Sequence, residues 1–220
     1  MKSILDMVQE RQLQPGDRLP SERDLAERLG IGRNAVREGV AALTTLRVLE
    51  ARPNSGLYLK HIATDSSFET LAMLAEMGST PSPVEISETT EVRQALETLA
   101  VELACVRRTE DDLDRMEDIL LRTERVLRED GNIAEHDTEF HLALVGATHN
   151  SVLVRVLNSF YRMTAARRSA WFGNQAQGRS SARDHRKLLQ AVAARDAEEA
   201  RRQIERHMTR ATAYWKQVLG

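Results

Sequence analysis

Between Val48 and His61 apolar and polar residues alternate, in VLEAR and again in GLYLK, on either side of a Pro53-Asn54-Ser55-Gly56 turn signal. A period of two around such a turn predicts a two-stranded hairpin. Elsewhere the residues favour helix, because Ala, Leu, Arg and Glu abound and aromatic residues are only 4%. Three short helices are expected ahead of the hairpin, over about 2–12, 21–29 and 33–46, with Pro15-Gly16 and Pro20 parting the first two. Ser21 suits the N-cap of the second helix, and Glu22 and Asp24 complement its dipole in the first turn. Gly30 suits its C-terminal cap.

Past His61 the character changes. Thr64-Asp65-Ser66-Ser67 opens another helix, and Gly78-Ser79-Thr80-Pro81-Ser82-Pro83 breaks the pattern as a loop. Long amphipathic helices follow over about 84–108, 110–129, 132–148, 150–171, 179–195 and 197–218. Thr109 and Asn132 are the expected N-caps of two of them, each with an acidic residue three positions on, Asp112 and Glu135. Gly173 to Gly178 reads as a loop. Helices this long with short connections make an antiparallel bundle. The expected fold is mainly α, with an N-terminal winged helix-turn-helix domain (1–62), a linker helix and loop (63–82) and an all-α antiparallel bundle (83–220).

Composition narrows the function classes. Hydrophobic residues at 41% and charged residues at 29% are ordinary for a folded globular protein. The net charge of −2 divides into +2 over residues 1–61 and −4 over the rest, too mild an asymmetry to identify a nucleic-acid binder without a motif. Cys105 is the only cysteine, so no intrachain disulfide or cysteine metal cluster forms, and its VELACVRR surroundings read as a helix interior holding an inert thiol. No apolar run reaches the ~20 residues of a membrane span. The start, MKSILDMVQE, is amphipathic without the apolar stretch of a signal peptide. A cytoplasmic protein without a membrane partner is expected.

Helix, helix, turn, helix and hairpin within about sixty residues is the layout of a winged helix. In the third helix, RNAVREGVAALTTL, Val36, Val40, Leu43 and Leu46 form one apolar stripe, while Arg33, Asn34 and Arg37 stand off it near the N-terminus. A recognition helix inserts that end into the major groove, where arginine reads guanine. A single arginine more often belongs to a solvated helical face; here the arginines stand at the expected offsets within a complete layout. Arg23 is positioned for a phosphate or base edge, and Ser55-Gly56 would set the wing tip against the minor groove.

The segment PGDRLPSERDLAERLGIGRNAVREGVAALTTLRVLEARPNSGLYL resembles the N-terminal domain of the GntR family of bacterial transcription regulators. The distinctive parts are Pro15 to Glu22, Leu25-Ala26, Arg33 followed by Val36-Arg37-Glu38, and Gly56. The resemblance spans about residues 4–60 and implies DNA contacts from Arg23, Arg33, Asn34, Arg37, Ser55 and Gly56.

The second half offers a possible metal site. Asp137 and His141, spaced i, i+4, share one helical face. His185 and His207 each lie 11 residues from a turn near Asp196, so an antiparallel hairpin sets them at one level, ~16 Å from the bend at ~1.5 Å per residue. Three imidazoles and a carboxylate suit a divalent transition metal, zinc foremost, with nickel, manganese or iron as further fits. Taken singly, each histidine is more often structural, and His136 and His149 read as surface or capping residues. EVRQALE, DTEFHLALVGATHN and DHRKLLQAVAARDAEEARRQIERHM resemble the FCD domain of the FadR-type GntR regulators, over about residues 65–218. That resemblance implies that Asp137, His141, His185 and His207 are the ligands and that Arg93 faces the cavity as an effector-binding residue. The competing role for Arg93 is an i, i+4 salt bridge to Glu97. Asn150 is a further candidate for the cavity lining.

The expected function is a homodimeric, ligand-responsive transcription regulator, read as a repressor, that binds a palindromic double-stranded operator and a small organic-acid effector. An enzymatic metal site would need a general base beside it, and no further Glu or His stands at a motif spacing that nominates one. A structural helical module without an effector is the third reading.

Overall fold

The structure, a computed structural model, describes residues 1–78 and 81–219, and the side chains of these except residue 63 and residues 211–219. The chain divides into two units, Met1–Thr80 and Pro81–Gly220. Ser79 and Thr80, within the loop expected from sequence, lie outside the described residues.

The first unit holds helices α1 (Lys2–Glu10), α2 (Glu22–Leu29) and α3 (Arg33–Thr45), strands β1 (Leu49–Arg52) and β2 (Gly56–Leu59), and helices α4 (Ile62–Asp65) and α5 (Phe68–Glu76). Ser21 caps α2 by accepting the Asp24 N–H, and Gly30 ends it in the left-handed region that glycine reaches without strain. β1 and β2 pair antiparallel from Leu49↔Leu59 to Arg52↔Gly56. Sequence periodicity missed a third contributor: residues 16–19 line β2 through Gly16 N–H to Leu59 O, Leu19 N–H to Leu57 O and Leu59 N–H to Asp17 O. Pro15, Gly16 and Pro20 hide that short edge, because proline and glycine read as turn. The core gathers Ile4, Leu25, Val36, Val40, Leu43, Leu49, Leu57 and Leu59. α5, in the stretch expected as linker, adds Leu74 to that core.

The second unit is a helical bundle of α6 (Pro83–Arg107), α7 (Glu110–Arg128), α8 (Ala134–Gly146), α9 (Ser151–Trp171), α10 (Gln175–Ala193) and α11 (Ala197–Leu219). Capping boxes start α6 at Ser82 with Glu85 and α7 at Thr109 with Asp112. Asn132 does accept the Ala134 N–H, but Glu135 makes no return bond and α8 starts without a box. α10 opens four residues before the expected 179, with Asn174 as N-cap. The glycine pair suggested a loop there, yet Gly178 lies inside the helix. A Cβ at that position would meet Leu127 Cδ2 at 3.0 Å, so the missing side chain serves close packing and not a turn. Val101, Met116, Leu120, Phe140, Leu144, Leu188, Val192 and Ile204 fill the middle of the bundle. Cys105 is buried there as a free thiol, pushed up by that burial. Among the described residues no helix is long and apolar enough to cross a membrane.

Candidate functional site

Asp137 and His141 stand one turn apart on α8, His185 on α10 and His207 on α11, and all four are buried. Their ligand atoms lie within 4.8 Å of one another. Nε2 of His141 is 3.2 Å from Nε2 of His207 and 3.3 Å from Nε2 of His185. Asp137 Oδ1 is 3.3 Å from the His185 nitrogen and 3.9 Å from that of His141. The rings of His185 and His207 meet at 4.9 Å between centroids, as their equal distances from the α10–α11 turn require.

The surroundings fix what these atoms offer. His141 Nδ1 lies 3.3 Å from Glu97 Oε2, and His207 Nδ1 lies 3.4 Å from Asp184 Oδ2. A carboxylate only accepts, so each Nδ1 carries the ring proton and each Nε2 presents a lone pair. Burial lowers all three imidazoles, His185 well below its ordinary value, so the rings are neutral and their Nε2 atoms converge on one point, His141 and His207 with lone pairs turned toward it. Burial would raise the Asp137 carboxyl, but the Arg168 guanidinium beside it outweighs that and holds it well below the usual carboxylate range. Its Oδ2 accepts from Arg168 Nη2 at 2.5 Å and its Oδ1 from the Ser181 hydroxyl at 2.9 Å. The lone pairs of His141 and His207, 3.2 Å apart with no proton between them, repel, and a divalent cation resolves that. Four ligands ~2.0–2.1 Å from a zinc ion would stand ~3.3 Å apart at the tetrahedral angle, so the donor set fits such a metal.

Glu97 ties this centre to its neighbour. Burial opposes its charge, but His141 and Arg93 bring it down to about 2. It accepts from Arg93 Nε at 3.2 Å and from the Tyr161 hydroxyl, and Arg93 Nη2 also donates to Tyr161 at 3.2 Å. Arg93 therefore does form the i, i+4 pair weighed against a cavity role, and it lines the cavity as well. That cavity has a volume of about 70 Å³ and is bounded by Arg93, Asp137, His207, Trp171 and Ser181, among others.

Asn150 is not brought to this cavity. It caps α9, where its Oδ1 accepts the Val152 and Leu153 N–H groups. His149 is exposed, 3.0 Å from Asp112. His136, expected at the surface, is half-buried, and its buried Nδ1 has no partner among the described residues. Glu97, Tyr161, Arg168 and Asp184 carry no spacing signal toward the four ligands. Ser181, four residues before His185, is the one supporting residue that helical spacing could have found.

In the first unit Arg33, Asn34 and Arg37 are exposed on the first turns of α3, opposite its buried Val36, Val40 and Leu43. Arg23 is exposed on α2 beside Asp24. At the hairpin tip the Ser55 hydroxyl meets the Tyr58 hydroxyl at 2.6 Å. Gly56 has φ +122°, so the backbone favours glycine there, and a Cβ would meet Arg18 Nε at 2.8 Å, a side chain free to move aside.

Comparison with known families and proteins bears on both units. The FCD domain matches residues 88–210, and the family described as bacterial regulatory proteins, gntR family, matches residues 1–59. The chain is 30% identical to the HTH-type transcriptional regulator LutR of Bacillus subtilis (strain 168), over 92% of this chain and 93% of that protein. It is 28% identical to the Uxu operon transcriptional regulator of Escherichia coli (strain K12), over 93% and 80% of the two chains. The galactonate operon transcriptional repressor of the same organism is 26% identical over 84% and 82%. Two solved structures share the fold. Streptococcus agalactiae GntR has a TM-score of 0.55 at 24% identity, covering 96% of this chain and 98% of that one. Escherichia coli McbR/YncC has a TM-score of 0.60 at 22% identity, covering 95% and 91%.

Proposed function

Because the chain belongs to the GntR family of bacterial regulatory proteins and carries an FCD domain, a DNA-binding regulator and not an enzyme, we propose that a small carboxylate bound at a divalent metal controls its grip on a palindromic operator. The observation that carries this reading is the convergence of three imidazole Nε2 atoms and the Asp137 carboxylate within 4.8 Å, beside a cavity that Arg93 lines. Asp137, His141, His185 and His207 would hold the metal, zinc foremost, and the metal would supply an electrophile for one carboxylate oxygen. Arg93 would donate to the acid through guanidinium N–H groups that Glu97 and Tyr161 keep oriented. One relative is named for the galactonate operon, and galactonate is a hydroxy-carboxylate.

On the DNA side, Arg33, Asn34 and Arg37 read bases, Arg23 contacts a phosphate or base edge, and Ser55-Gly56 rests at the minor groove. The protein acts as a repressor in the cytoplasm. Effector control requires that the acid bind the DNA-competent and DNA-incompetent states with different affinity.

A palindromic site calls for two copies. On α6, Val92, Leu99 and Val106 are 51%, 44% and 72% exposed at seven-residue intervals, the repeat by which one helix lies along another. A second copy of the chain covers that stripe. Leu99→Glu is expected to shift the protein from dimer to monomer in sedimentation velocity, and a variant that stays dimeric would place the interface elsewhere.

The test of effector control uses zinc-loaded and chelator-stripped protein side by side in a thermal-shift series with lactate and galactonate. An acid at a hundred times its Kd stabilises by about 2.7 kcal/mol, roughly 5–10 °C for a chain of this size. The shift is expected only in the loaded protein. Equal shifts with and without metal would sink the reading.

A further inference from the structure

The cavity beside the metal centre is lined by four arginines, Arg93, Arg167, Arg168 and Arg210. Three have carboxylate partners inside the bundle. Arg93 pairs with Glu97, Arg168 with Asp137, and Arg210 with Asp184. Arg167 has none: among the described residues it makes no hydrogen bond or ion pair, although it is half-buried in the cavity wall on α9. Burial lowers its guanidinium, and the adjacent Arg93 charge lowers it further. A partly desolvated cation beside a like charge, with its donors unmet and facing a cavity, is stabilised when an anion enters. The other unpaired polar side chains of the wall, Thr89 and Gln177, leave the anion-binding role to Arg167.

Resting on the reading of this cavity as a carboxylate site, we infer that Arg167 is a second anion anchor, which makes the preferred effector a short dicarboxylate. One carboxylate occupies the metal side, where Arg93 also donates. The other meets Arg167, whose planar fork of N–H donors matches a carboxylate bidentately. A monocarboxylate would leave Arg167 as unmet as it is in the empty cavity. The cavity volume of about 70 Å³ limits the span between the two acid groups to a few carbons. Arg167 is thus a specificity-determining residue, separate from the four metal ligands and from Arg93.

Isothermal titration of zinc-loaded full-length protein tests this, with malonate, succinate and glutarate set against propionate, butyrate and pentanoate. Metal content is measured again after each titration. The best dicarboxylate is expected to bind at least about tenfold more tightly than its monocarboxylate match, the factor that one charge-assisted hydrogen bond supplies. Arg167→Gln is expected to abolish that preference while leaving monocarboxylate affinity within about twofold. Arg167→Lys, which keeps the charge but not the fork, should restore part of it. Equal binding of both acid classes, or an Arg167→Gln variant that weakens both alike, would overturn the inference and leave the carboxylate reading intact. Galactonate binding more tightly than every dicarboxylate would also overturn it. Binding of no acid at all would remove the carboxylate reading and this inference together.

Discussion

His185→Ala is expected to strip the protein of its metal. Wild-type protein should carry about one zinc ion per chain by elemental analysis, and the variant less than a tenth of that under the same dialysis. His185 is the cleanest ligand to remove, because its Nδ1 has no partner among the described residues and the ring stacks on Phe140 at 4.2 Å between centroids. Its loss deletes one donor and some packing without stranding a buried carboxylate. His141→Ala, by contrast, also takes away a neutral hydrogen-bond partner of buried Glu97. It should therefore cost more stability than His185→Ala in a urea melt of the metal-free proteins, by about 1–3 kcal/mol. Full metal retention in His185→Ala, with a folded spectrum, would mean that these four residues are not the ligand set. Chelation of the wild-type protein is a parallel check. The neutral imidazoles of His141 and His207, left with opposed lone pairs, make the metal-free protein melt at lower temperature, and a melt indifferent to chelator would argue against a resident metal.

The second large effect belongs to the opposite unit. With a duplex selected from a random library by the wild-type protein, Arg33→Ala/Arg37→Ala is expected to lose at least about thirtyfold in affinity. Each base-reading arginine is worth ~1–3 kcal/mol, and the two together move the binding curve well beyond measurement error. Both side chains are exposed and neither has a partner among the described residues, so the variant should melt with the wild type. Arg23→Ala would instead weaken selected and unrelated duplexes alike and flatten the salt dependence by about one unit of slope, as loss of a phosphate contact does. If the double variant bound the selected duplex as tightly as wild type, α3 would not be the recognition helix.

Much of this site was legible in the sequence because its information is local. The i, i+4 spacing of Asp137 and His141 follows from helix geometry alone, and the equal offsets of His185 and His207 from one turn need only a hairpin of helices. The stripe of Val36, Val40 and Leu43 likewise identifies the buried face of α3, and so leaves Arg33 and Arg37 outward. Where local reading went astray, packing had overridden composition. Gly178 is helical because Leu127 and Ile133 press against it, and residues 16–19 join β2 although proline and glycine bracket them. Asn150, a candidate for the cavity lining, instead spends its side-chain oxygen on the first N–H groups of α9.

By itself the sequence determined the winged helix-turn-helix layout, most helices of the bundle and the four residues able to meet at a metal, since periodicity, capping and turn chemistry act over a few residues. Only the tertiary structure decided what surrounds those four. Glu97, Tyr161, Arg168 and Asp184 come from three different helices, and nothing in their spacing foretells that they meet. The fold also decided which arginines are satisfied: Arg93, Arg168 and Arg210 each find a carboxylate, while Arg167 faces the cavity without one among the described residues. Charge pairing in a bundle interior depends on which helix faces cross, and that is set by the packing of the whole core rather than by any segment of the chain.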